Sequence, residues 1–97
     1  MTENIAFIKG RFSPAEAADV LLSLINDKIK FHTVKSLNLR HEGPDADLTS
    51  EDRIKELKEA KKIIEQLVLS AHKNAYELEI NSTIDIKLVE NPVHNIR

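Results

Sequence analysis

Residues 28–41, KIKFHTVKSLNLRH, carry four cationic side chains, two histidines and no acid, in a chain whose formal net charge is -2. If the stretch is helical, Lys28, His32 and Lys35 fall at i, i+4 and i+7 on one face, and Arg40 and His41 reach its end. Ammonium, imidazolium and guanidinium groups so placed are what contacts to phosphate or another anion need. The same residues have a plainer use. Cations near a helix C-terminus complement the macrodipole, by about 0.3–1 kcal/mol each. The acids that follow, Glu42, Asp45, Asp47, Glu51 and Asp52, can neutralise the patch locally. On this balance the lysines dress the tail of a long helix, and anion binding by Lys28, His32, Lys35 and Arg40 is the alternative.

Other chemistry is thinner. A metal site would draw on His32, His41 or His72 with a carboxylate, but no HxxxH or HxxE pair stands at helical spacing, and no metal or other cofactor is expected. His72, near the end of a helical pattern, reads as a C-terminal cap. Glu77, Glu79 and Asp85 share one parity of a strand pattern and could perturb one another, though rows of acids are common on solvated strands. There is no glycine-rich phosphate loop, no nucleophile elbow and no Ser/His/Asp grouping, so no catalytic residue is assigned. Asn81-Ser82-Thr83 matches a glycosylation sequon by chance, because no secretory signal precedes it.

Composition bounds the scaffold. The 97 residues make one domain, expected over 1–90, with 91–97 as a frayed tail. The absence of cysteine excludes disulfides and thiolate chemistry. Charged residues are 31% of the chain, with two glycines and three prolines, which favours long regular elements with solvated faces. The near-zero charge balance and the scarcity of aromatic residues argue against nucleic acid as a partner. The opening MTENIAFIKG has an acid at Glu3, and no apolar run approaches the ~20 residues that cross a bilayer, so a cytoplasmic location without membrane association is expected.

The elements follow from local signals. NIAFIKGRF, residues 4–12, is β-branched and aromatic and reads as a strand, with Gly10 as a bulge or close-approach point. Ser13, Pro14 and Glu16 form a capping box with proline at the first helical position. The helix they open carries Ala18, Leu22, Ile25 and Ile29 as a stripe, widened by Leu21 and Leu24. As a strand, 29–39 would bury Thr33 and Lys35; as a helix it continues the stripe, so the helix is predicted to reach residue 39. EGPDADLTS is a turn. A second helix starts with Thr49 as cap and Asp52 three residues on, and buries Ile54, Leu57, Ala60, Ile64, Leu67, Val68 and Ala71. Glu51–Lys55 and Lys61–Glu65 stand at i, i+4. YELEINSTIDIKL alternates cleanly and reads as one strand rather than a hairpin turning at Asn81-Ser82.

The fold class is therefore α+β, in the order β-α-α-β. An antiparallel helical hairpin brings the first and last segments together as an antiparallel strand pair, with one face under the helices. A two-stranded sheet is marginal alone and has free edges, which points to a homodimer. The runs FSPAEA, KIKFH, RIKELKEAKK and EINSTIDIKL resemble a family of small uncharacterised bacterial proteins, chiefly from the Bacteroidetes. The resemblance implies no function for individual residues. The functional expectation is a non-enzymatic protein-interaction or structural module acting as a homodimer, with an anion- or RNA-binding module second and a small enzyme third.

Overall fold

A computed structural model describes residues 1–39 and 48–91, with residues 38, 39, 48 and 49 described through their backbone alone. The elements run β1 (Thr2–Phe12), α1 (Pro14–Leu39), α2 (Leu48–Asn74) and β2 (Leu78–Lys87), the α+β order that the residue patterns predict. Contacts gather the chain into two compact units, Met1–Arg11 with Glu79–Arg97, and Phe12–Leu78. Of the expected turn 42–50, residues 48–50 belong to α2 and the rest lies outside the described residues, as does the expected tail beyond Asn91.

β1 and β2 form a two-stranded sheet. Leu88 donates its N–H to the Met1 carbonyl at 3.1 Å, and the Asn4 amide donates to the Asp85 carboxylate. Residue 1 thus faces 88 and residue 4 faces 85, so the strands are antiparallel. β1 has 11 residues against 10 in β2, the difference that a bulge on β1 produces. Gly10 lies in β1 with φ 147°, a conformation that a Cβ would make costly. β2 is a single strand through Asn81 and Ser82, with Leu78, Ile80, Ser82 and Ile84 half-buried and the residues between them exposed. That unbroken alternation leaves no room for the hairpin alternative.

The hairpin begins as its capping box dictates. The Ser13 N–H donates to Glu16 Oε1 at 2.9 Å, and the Glu16 N–H donates back to Ser13 Oγ at 3.2 Å. The Ala17 N–H reaches the Ser13 carbonyl at 2.8 Å, which starts the helical ladder. α1 continues through the ambiguous 29–39 stretch. There the Thr33 hydroxyl donates to the Ile29 carbonyl at 2.8 Å, the local bond by which threonine tolerates a helix interior. α2 starts at Leu48, so Thr49 lies inside its first turn and is not the cap that the sequence suggests. Among the described residues the ion pair within α2 is Arg53–Glu56 at 3.4 Å, an i, i+3 pair, rather than the two i, i+4 pairs expected.

The seam between the helices is built largely of small residues. Ala17 is fully buried, and Ala71, Ser36 and Ser50 are nearly so, with Ile25 and Leu57 as the larger members. Small side chains let helix backbones approach closely, but they bury little apolar area. Among the described residues no large side chain is fully buried. α2 ends in a left-handed residue, Ala75 at φ 58°, and the Tyr76 N–H returns to the Ala71 carbonyl at 2.9 Å. This is a Schellman motif with alanine where glycine is usual. The Asn74 side-chain amide donates to the Ser70 carbonyl at 2.8 Å, and His72 stands in the same last turn, as its position in the sequence suggests.

Candidate functional site

Two places on the hairpin gather side chains. The first is the cationic face of α1. Lys28, His32 and Lys35 lie on one side of the helix as their spacing predicts, and Arg53 of α2 joins them, close enough to act on His32 electrostatically. Lys28 Nζ sits 5.3 Å from the centroid of the Phe31 ring, a cation–π geometry. Phe31 in turn meets His32 edge-on, with centroids 5.1 Å apart and planes at 81°. His32 is half-buried, and its Nδ1 is sealed from solvent without a hydrogen-bond partner.

That setting decides the charge of the imidazole. Burial pushes the His32 pKa down, and the positive charges of Lys28, Lys35 and Arg53 push it further the same way. His32 is therefore neutral at pH 7 and is not one of the cations that an anion would meet. Of the expected set Lys28, His32, Lys35 and Arg40, the first three stand together on α1, and Arg53 of α2 joins them. Arg40 and His41 lie outside the described residues. Arg53 escapes a linear reading because it comes from the other helix. Only the antiparallel hairpin, which sets the start of α2 beside the end of α1, could have pointed to it.

The second place is a groove of about 430 Å³ at the other end of the hairpin. Pro14, Ala15, Ala18 and Leu22 of α1 line one wall, and Glu65, Val68, Leu69 and His72 of α2 line the other. The lining is almost wholly apolar because Ala15 and Ala18 leave space between larger neighbours. His72 thus borders an apolar groove and stands in the last turn of α2, where a cation would suit the dipole. Glu79 and Asp85 are exposed on β2, Asp85 accepts a hydrogen bond from Asn4, and Glu77 precedes the strand. Among the described residues no three histidine or acidic side chains come together as a metal would require. No described helix is long and apolar enough to cross a membrane.

The hairpin has apolar residues on both flanks. Residues two apart on a helix stand about 200° apart around its axis. Val20 against Leu22, Ile63 against Glu65, and Leu67 against Leu69 therefore point to opposite sides. Leu22 and Leu69 border the groove. Leu24, Ile63 and Leu67 lie away from it, exposed by 37%, 58% and 57%. No family model matches the chain, and neither a curated protein nor a solved structure matches it.

Proposed function

We propose that the protein is a non-enzymatic protein-interaction or structural module that acts as a homodimer. One observation carries the reading: large apolar side chains stand in the open while the seam holds small ones. Phe31, Ile63, Leu67 and Leu69 are each more than half exposed, and no large described side chain is fully buried. Patches of this kind on a stable protein mark contact surfaces. Sedimentation equilibrium tests the reading. A mass twice that of one chain at micromolar concentration supports it, and one chain mass up to the highest soluble concentration removes it.

A second reading, an anion- or RNA-binding module, has its own observation in the gathering of Lys28, Lys35 and Arg53 around His32. Lys28 and Lys35 are exposed there, and Arg53 is also held by Glu56 at 3.4 Å. Under this reading binding to a single-stranded RNA falls steeply with salt, and reversal of Lys28 and Lys35 to glutamate abolishes it. Binding that is absent at low salt, or unchanged by the reversal, removes this reading.

A further inference from the structure

β2 gives one edge to β1 and leaves the other open. Leu88 turns its N–H to Met1. Along a regular antiparallel strand the N–H and C=O groups of alternate residues point to the same side. The backbone groups of Glu79, Asn81, Thr83, Asp85 and Lys87 therefore point away from β1, into the open edge. β1 also has an open edge, but it is the strand with the extra residue and with Gly10 at φ 147°. It also carries Lys9 and Arg11. Bulges and basic side chains are devices that keep an edge from pairing. β2 holds neither glycine nor proline, and its alternation is unbroken from Leu78 to Ile84.

We propose that the open edge of β2 pairs antiparallel with β2 of a second copy, about a two-fold axis at Thr83. The proposal rests on the homodimer reading and names the surface that makes it. The outward backbone groups allow only odd residues opposite odd ones. An axis at Ser82 would set Glu79 against Asp85 of the second copy, like charges met twice. An axis at Thr83 sets Glu79 against Lys87 of the second copy, opposite charges met twice, with Asn81 against Asp85 and Thr83 against itself. An axis at Ile84 would push Glu79 past the strand end. On the other face the Thr83 axis lays Ile80 against Ile86 and Leu78 against Leu88. Ile86 and Leu88, exposed by 46% and 69%, thereby gain apolar neighbours. The result doubles a marginal two-stranded sheet into one continuous sheet.

The register is tested by its symmetry. The native chain has no cysteine, so Thr83→Cys introduces a single thiol. Hydrogen-bonded partners in an antiparallel pair have Cα atoms about 5.5 Å apart, within disulfide reach. Mild oxidation should link Thr83→Cys into covalent dimers, and should not link a Ser23→Cys control. Glu79→Lys and Lys87→Glu alone should each raise the dimer dissociation constant about tenfold, since each spoils two pairs, and the double exchange should restore it. Thr83→Pro should abolish dimerisation while leaving the β1–β2 ladder intact, because that N–H points outward. If the wild type sediments as a dimer but none of these variants alters association or crosslinks, the edge pairing is wrong and the homodimer reading stands. A wild type that sediments as a monomer throughout ends both.

Discussion

The two ends of the helical hairpin solve opposite problems. At the end where α1 begins and α2 stops, backbone groups find partners within a few residues: Ser13 with Glu16, Tyr76 with Ala71, Asn74 with Ser70. The space between the helices there is an apolar groove. At the other end Lys28, Lys35 and Arg53 crowd a half-buried neutral histidine whose Nδ1 has no partner. One end is stable by local bonding and open to apolar contact. The other gathers the exposed Lys28 and Lys35 beside Arg53, which itself pairs with Glu56 at 3.4 Å. The difference teaches that local backbone bonding and clustered cationic charge are placed at separate ends of the same hairpin.

Substitutions can break or sharpen that contrast. The largest effect belongs to the seam that serves both ends. Leu57→Ala should cost about 2–4 kcal/mol of unfolding free energy by denaturant titration, because one of the few large side chains near burial is lost. A loss below 1 kcal/mol would mean that the seam does not hold the hairpin together. At the bonded end, Ser13→Ala should cost about 1 kcal/mol, with little dependence on salt. At the same end Ala75→Gly should stabilise by about 1 kcal/mol, since glycine adopts the left-handed conformation without a Cβ penalty. Destabilisation by Ala75→Gly would show that the motif is not formed.

The smallest effects are titrations, and they separate the ends most cleanly. The Glu16 carboxylate is held below its usual pKa by the Ser13 N–H, and secondarily by the Ser13 hydroxyl. A lowered acid pKa gives stability that is present above the ordinary glutamate value and lost as pH falls through the lowered one. Ser13→Ala should remove part of that acid-side dependence. His32 also has a lowered pKa, so its neutral form favours the fold above the ordinary histidine value, and stability falls as pH drops towards the lowered value. Lys35→Gln should raise the His32 pKa as followed by NMR of the ring protons. No movement on that substitution would show that the lysine is too far away to matter.

How much of this was legible depends on the range of each interaction. The capping box was plain because its partners lie three residues apart, and α1 to residue 39 followed from periodicity once Thr33 and Lys35 were refused a buried strand face. β2 as one strand followed from alternation alone. Ala75 gave no signal, because alanine is the residue least expected in a left-handed cap. The start of α2 at Leu48 rather than after Thr49 shows how little a lone threonine fixes a boundary. Ile63 stands outside the seam pattern, and its exposure marks the second apolar flank. The neutrality of His32 was out of reach, for it depends on burial and on Arg53 from the other helix.

The claim beneath the rest is that one copy of this chain leaves its apolar surface unfinished and a second copy completes it. The thermal unfolding midpoint, measured across a hundredfold range of protein concentration, tests this most directly. A folded state that exists as a dimer predicts a midpoint that climbs with concentration. A midpoint that stays fixed across that range would contradict the account.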